Sequence, residues 1–115
     1  MEILFSEQNR HLICAPVGEI DHHSSQDIRR GIESALKRTR ARSLIFDFSQ
    51  VTFMDSSGIG IMIGRYRELS QTGGKVYAIG ISGEIGRIFS ISGLAKIIPC
   101  YADLDEVFEN AGVGR

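Results

Sequence analysis

The spacing of apolar and polar residues changes several times along the chain, and each spacing predicts one kind of secondary structure. Short apolar and β-branched runs at residues 3–5, 11–17, 43–48 and 75–80 predict strands. The segment "EQNR" that joins the first two is short, so these two strands are expected to pair antiparallel. Pro16 lacks a backbone N–H, and we expect it to mark an edge or a bulge where the second strand ends.

Helical spacing of apolar residues predicts two helices in the middle of the chain. In the segment 21–38, "DHHSSQDIRRGIESALKR", Ser24 and Asp27 resemble a capping pair. A second helix is expected to begin after Ser56 and to end at Gly73 and Gly74, because glycine adopts the positive φ angles of helix ends. The apolar faces are Ile28, Ile32, Ala35 and Leu36 in the first helix, and Ile59, Met62, Ile63, Tyr66 and Leu69 in the second.

The last third of the chain predicts two more helices and one short strand. The third helix is expected from Gly83 to about Ser92, and the short strand at residues 97–98. Asp103 and Glu106 resemble the capping box of the final helix. The inward faces are Ile85, Ile88 and Phe89 in the third helix, and Leu104, Val107, Phe108 and Ala111 in the last.

The order β-β-α-β-α-β-α-(β)-α predicts an α/β fold with a mixed sheet of four to five strands and about four helices. The N-terminal strands would form an antiparallel hairpin. The later strands are expected to be parallel, because strand–helix–strand units cross over with one hand. The 115 residues are expected to form a single domain, residues 1–115.

Composition narrows the classes of function. The net charge of −1 provides no field that would attract nucleic acid or an anionic membrane. The apolar runs are far shorter than the roughly 20 residues of a membrane span, and no signal peptide is expected at the N-terminus. Cys14 and Cys100 lack a CxxC or metal-binding spacing, so we expect two reduced thiols. The sequence predicts a cytoplasmic protein without metal or cofactor.

The stretch "VTFMDSSGIG", residues 51–60, places Asp55, Ser56 and Ser57 between two apolar segments. It is expected to join the strand at 43–48 to the second helix, at the carboxyl end of a parallel strand, where α/β sheets commonly place ligand or partner chemistry. Helix capping needs one such residue and contributes about 1 kcal/mol, whereas three stand here in a row.

Three chemical interpretations of these serines compete. A catalytic nucleophile lacks the G-x-S-x-G signature, and the adjacent histidines His22 and His23 are more typical of a solvent-facing pair. A phosphate-binding loop lacks both G-x-x-x-x-G-K-[ST] and a strand-linked G-x-G-x-x-G. Phosphorylation of Ser56 or Ser57 fits better, because a helix N-terminus tolerates the added charge. Such a modification could spare the fold and change what the surface binds.

The second helix also carries a candidate docking face. Gly60 and Gly64 lie in its interior, where each costs about 1 kcal/mol relative to alanine. Together with Ile61 and Arg65 they lie away from the predicted core stripe, so another backbone could approach closely. Close packing against the chain's own sheet or a neighbouring helix is the alternative explanation.

An ordered set of motifs is carried by the whole chain. They are "GEIDHH" at 18–23, "FMDSSGIG" at 53–60, "GRY" at 64–66, "GG" at 73–74 and "IFSISGLAKII" at 88–98. This set resembles the STAS domains, which include bacterial anti-sigma factor antagonists and the cytoplasmic tails of sulfate transporters. Within that family it most resembles the branch that antagonises the sporulation anti-sigma-F factor.

The resemblance implies a phosphorylation switch. The unmodified antagonist would bind an anti-sigma factor that is also a serine kinase, and so free the sigma factor. The kinase would use ATP to phosphorylate Ser56, and a serine phosphatase would restore the antagonist. Asp21 is expected near the same surface as Asp55, and Ser57 is expected to be a cap or a contact. The expected partner-binding residues are Asp21, Asp55, Ser57, Gly58, Gly60, Ile61, Gly64 and Arg65.

The chain would therefore be the substrate of a kinase and not itself an enzyme. Two alternatives stay open at the level of the sequence. One is a general-stress or other partner-switching antagonist, a branch that often places threonine where Ser57 stands. The other, from a different class, is a small serine-dependent hydrolase.

Overall fold

A central mixed sheet carries helices on both faces in the computed structural model, which describes residues 1–110. Within these residues there are six strands and four helices. They are β1 (Glu2–Gln8), β2 (His11–Ile20), α1 (His22–Arg38), β3 (Ser43–Asp47), β4 (Val51–Met54), α2 (Ser56–Ser70), β5 (Val76–Ile79), α3 (Gly83–Ser92), β6 (Cys100–Tyr101) and α4 (Leu104–Asn110). Ala111, which was expected on the last helix, lies outside the described residues.

The strand pairing confirms the predicted α/β class. β1 and β2 are antiparallel, and Asn9 and Arg10 join them with φ angles of 51° and 63°. Positive φ at both central residues is the geometry of the tight turn that matches strand twist. β3, β5 and β6 then follow in parallel, which gives the order β1-β2-β3-β5-β6.

β2 changes its neighbour halfway along its length. Its first half pairs with β3 as far as Cys14, and its last residues pair with β4 from Gly18 onward. Pro16 lies between the two pairings, and a register shift follows at Gly18 and Glu19. The missing N–H therefore marks a change of partner, and the strand continues to Ile20 instead of ending near residue 17.

β4 is the strand that the pattern did not predict, and it raises the strand count to six. Its four residues follow the β3 run after a turn in which the Ser49 N–H donates to Asp47 Oδ1 at 3.0 Å. Among the described residues, β4 pairs with β2 alone. The DSSG motif therefore follows β4 and not, as expected, the strand at 43–48.

Three further details differ from the expectation or refine it. Asp21 is the residue that caps α1: the Ser24 N–H donates to Asp21 Oδ1 at 2.9 Å, and the Asp21 N–H donates to Ser24 Oγ at 2.8 Å. The last strand lies at Cys100–Tyr101, because Ile98 is fully buried in the core and not paired in the sheet. Asp103 caps α4 as predicted, with Oδ1 accepting the Glu106 N–H at 2.9 Å.

Two hydrophobic clusters lie on opposite faces of the sheet. The larger one joins one face of the sheet to α1, α2 and α3. Each predicted inward residue of these helices is either a buried member of this cluster or partly buried and packed against it. The smaller one contains Val107 of α4 and four sheet residues, with Leu104 and Phe108 packed against it. Those sheet residues are Ile13, Ile45, Tyr77 and Ile79.

The glycines of α2 differ in what surrounds them. A Cβ on Gly58 would lie 2.6 Å from Met54 Sδ and 3.0 Å from Ile20 Cγ2, so this glycine lets the helix approach the sheet. A Cβ on Gly60 or Gly64 would meet nothing within 4 Å. Close packing within the chain therefore explains Gly58 and leaves Gly60 and Gly64 without an intramolecular reason.

Replacing these glycines by alanine should change stability in opposite directions. Gly60→Ala should raise the free energy of unfolding by up to about 1 kcal/mol, because alanine favours the helix. Gly58→Ala should lower it by about 1–3 kcal/mol, because Met54 is buried and cannot move away without strain. Urea unfolding of the two variants measures both signs. Destabilisation by Gly60→Ala would show that this side of α2 is packed.

Candidate functional site

Two helices begin side by side at one edge of the sheet. Ile20 and Met54 are register partners at the ends of β2 and β4, and Asp21 and Asp55 follow them. The Asp55 N–H donates to the Ile20 carbonyl at 3.1 Å. Each of the two acids is the N-cap of the helix that follows it. The sheet thus places Asp21 and Asp55 at the same edge, as expected.

The three polar residues of the motif have separate roles. Asp55 Oδ1 accepts the Ser57 N–H at 2.8 Å, and the Asp55 carbonyl accepts the Gly58 N–H at 3.1 Å. Asp55 therefore provides the cap, and Ser57 contributes its backbone N–H to it. Ser56 is the first residue of α2 and is exposed. Among the described residues nothing hydrogen-bonds its hydroxyl, so that group is free to react.

Asp21 is held in place by a reciprocal hydrogen-bond pair with Ser24. The Ser24 N–H, together with the Ser24 hydroxyl and the neighbouring His23, lowers the pKa of the Asp21 carboxyl. Ser24 Oγ also donates to the Glu19 carbonyl at 3.0 Å and so ties α1 to the end of β2. Sequence reasoning paired Ser24 with Asp27 and missed this role, although D-x-x-S is the capping box with acid and hydroxyl exchanged.

One side of α2 leads away from the sheet edge that carries Asp21 and Asp55. Ser56, Gly60 and Gly64 follow each other at intervals of four, so they share one side of the helix. Ser56 and Gly60 are exposed and Gly64 is half-buried, with open space where a side chain would project from either glycine. These three residues form a flat, accessible edge, which we call the glycine edge.

Three of the expected partner-binding residues make contacts within the chain. Gly58 is buried against β2 and β4, where it serves packing. Ile61 packs against the larger hydrophobic cluster. Arg65 has only 11% of its side chain exposed and pairs with Glu33 of α1 at 3.2 Å and with Glu68 at 2.9 Å. Its charge is therefore already matched within the chain, and a role of Gly58, Ile61 or Arg65 in partner binding stays a prediction.

The described residues offer little support for serine hydrolysis, metal binding or thiol chemistry. His22 and His23 are exposed, and no hydrogen bond joins either ring to Ser56 or Ser57 within the described part of the chain. Residues 1–110 contain no group of three or more His, Cys, Asp or Glu side chains that could hold a metal ion. No helix among them is both long and apolar enough to cross a membrane. Burial raises the pKa of the Cys14 thiol to about 12, which makes it unreactive.

Comparison with known proteins places this geometry in a family. A profile of the STAS domain matches residues 2–107. An anti-sigma F factor antagonist from Paenibacillus polymyxa is 36% identical over 90 residues, which cover 78% of this chain and 77% of that protein.

Two solved structures of the anti-sigma factor antagonist SpoIIAA are also similar. Its unphosphorylated form matches with a TM-score of 0.81 at 26% identity, covering 99% of this chain and 100% of that one. The phosphorylated form, described as a Bacillus cell fate determinant, matches with a TM-score of 0.72 at 28% identity, covering 96% and 99%. Since the family profile spans nearly all of the sequence and agrees with the fold, the chain belongs to the STAS domain family.

Proposed function

We propose that this protein is an anti-sigma factor antagonist that is switched by phosphorylation of Ser56. In its unmodified form it binds an anti-sigma factor that is also a serine kinase, and the sigma factor is released. The observation that supports this role best is the exposed Ser56 hydroxyl, which no group in the described chain uses because Asp55 already caps α2. The protein acts as a regulator in the cytoplasm and as the substrate of a kinase.

The proposed reaction leaves the fold intact. Ser56 Oγ attacks the γ-phosphorus of ATP held by the kinase, ADP leaves, and the hydroxyl proton is lost. The phosphate brings about −1.5 to −2 charges to the first turn of α2. The helix dipole stabilises this negative charge by about 0.3–1 kcal/mol. A serine phosphatase reverses the step by hydrolysis.

The added charge changes what the edge can bind. Asp21 and Asp55 already lie at this edge, so a phosphate on Ser56 joins two acidic side chains there. A partner surface that covers the edge would have to desolvate all three groups, and it would need phosphate ligands that the unmodified complex does not require. Release of the anti-sigma factor follows from that cost.

The glycine edge gives the partner a place to approach. Gly60 and Gly64 lower helix stability by about 1 kcal/mol each and gain no packing inside the chain. A backbone or a large side chain of the partner can lie against this edge next to Ser56. The partner-binding surface therefore consists of Asp21, Asp55, Ser56, Ser57, Gly60 and Gly64.

The relative from Paenibacillus polymyxa favours the anti-sigma-F branch for the partner. A general-stress antagonist is the alternative within the family, and both branches predict the same Ser56 chemistry. Mixing the chain with the anti-sigma F-type and B-type factors of the same genome, then measuring complex formation, distinguishes the two branches.

Ser56→Ala should separate binding from switching. The free energy of unfolding should stay within about 0.5 kcal/mol of wild type, since Ser56 does not cap the helix. Binding to the anti-sigma factor should persist, and ATP should no longer dissociate the complex. Size-exclusion chromatography with and without ATP, together with mass spectrometry of the modified peptide, measures this.

Ser57→Ala is the matched control for that experiment, and it should still be phosphorylated and released. If ATP dissociates the Ser56→Ala complex as readily as the wild-type complex, the switch does not run through Ser56.

Gly64→Leu should weaken partner binding more than folding. Leucine fits the helix and enters open space, so the melting temperature should not fall. The added side chain should block close approach and lower affinity at least tenfold by calorimetry. Arg30→Leu, on the exposed side of α1, adds the same side chain elsewhere and should bind normally. An unfolded Gly64→Leu variant would mean that the glycine edge is buried.

A further inference from the structure

Phe53 is a large apolar side chain that the fold leaves in water. It is 44% exposed, although Val51 and Met54 of the same strand are buried. Its register partner across the strand pair is Glu19 of β2, which is also exposed and offers no apolar surface. Phe53 belongs to neither hydrophobic cluster of the described residues, and no aromatic ring among them pairs with its ring.

The fold explains why no residue from 1 to 110 covers this ring. Val51 and Met54 both point into the cluster beneath α1, α2 and α3, because Thr52 is the extra residue of a bulge between the pairs Gly18–Val51 and Glu19–Phe53. Phe53, the neighbour of Met54 in the strand, therefore points to the opposite face of the sheet. On that face α4 packs at Ile13, Ile45, Tyr77 and Ile79, none of which belongs to β4 or to the part of β2 that pairs with it. The ring therefore stands on a part of the sheet that no described helix covers.

We propose that Phe53 is the hydrophobic anchor by which the anti-sigma factor kinase holds this protein beside Ser56. The inference rests on the proposed function, because it takes the kinase as the partner. It adds a contact on the strand side of the motif to the glycine edge on the helix side. The complementary surface of the kinase is an apolar socket with a basic rim.

Chain geometry keeps the backbone of Phe53 close to Ser56. Three residues span at most about 11 Å even when fully extended. An interface of standard size buries about 800 Å² on each partner, which corresponds to a circle of roughly 16 Å radius. An interface of this size centred on Ser56 therefore extends past the position of Phe53, and its edge can meet the ring.

The surroundings of Phe53 define the chemistry of the partner. Glu19, Asp21 and Asp55 lie around the ends of β2 and β4, and none of them forms an ion pair within the described residues. An exposed aromatic ring inside a polar rim is the usual composition of an interface hot spot. The other large exposed apolar residues of the part of the chain that the structure describes lie outside the motif: Met1, Leu4, Ile91 and Ile97.

Phe53→Ala tests the anchor directly. The probe is whichever anti-sigma factor binds the wild-type chain, and the readout is the Kd measured by calorimetry without ATP. We expect the Kd to rise at least about 30-fold, the smallest change that a hot-spot residue produces. Leu4→Ala is the matched control, because Leu4 is a 54% exposed apolar residue on another strand, and its Kd should stay within about twofold of wild type.

A kinetic measurement distinguishes docking from a loss of structure. Phosphorylation of Phe53→Ala should show a raised KM for the antagonist and an unchanged kcat, since Ser56 itself is intact. Phe53→Thr keeps a strand-forming residue at this position and should give the same result if the alanine variant folds poorly. Far-UV circular dichroism verifies the fold of each variant.

The possible outcomes separate the anchor from the proposed function. If the wild-type chain binds the anti-sigma factor and both Phe53 variants bind it equally well, Phe53 is not the anchor, and the proposed switch at Ser56 is unaffected. If Leu4→Ala weakens binding as much as Phe53→Ala, the contact is spread over the sheet and Phe53 is not the anchor. If the wild type binds neither type of anti-sigma factor, the proposed function fails and the anchor with it.

Discussion

The parallel pairing of the end of β2 with β4 determines the arrangement of everything at the candidate site. Three register pairs and the hydrogen bond from the Asp55 N–H to the Ile20 carbonyl bring two helix starts to one edge. Each helix is then capped by the acid that follows its strand. The positions of Ser56, of the glycine edge and of the Phe53 ring all follow from this one strand pair.

Within the DSSG motif each residue meets a different physical need. Asp55 satisfies a helix N–H, Ser57 supplies that N–H, and Gly58 allows the helix to approach Met54 and Ile20. Neither serine hydroxyl is hydrogen-bonded within the described residues, and Ser56 is the more exposed of the two serines. The Ser56 hydroxyl is therefore not needed by the cap of α2 and faces solvent.

Much of this was accessible from the sequence, because periodicity reports strongly patterned segments. The four helices, the antiparallel hairpin and the parallel strands were predicted from spacing, whereas the proximity of Asp21 and Asp55 was implied by the family resemblance. β4 was missed because four residues after a two-residue turn merge with the preceding apolar run. The inward direction of Arg65 was missed because its partner Glu33 lies 32 residues earlier, beyond the range of any local pattern. Phe53 was taken as part of an apolar run, since spacing cannot show which face of a sheet stays uncovered.

The one-sided pairing of β4 also affects how the chain moves. Among the described residues β4 is bonded to β2 only, whereas β3 is held between β2 and β5. Opening β4 breaks one ladder and leaves the rest of the sheet paired, so its amide protons should exchange with solvent sooner than those of β3. The strand that precedes Asp55 and Ser56 is thus attached to the sheet by one ladder of hydrogen bonds.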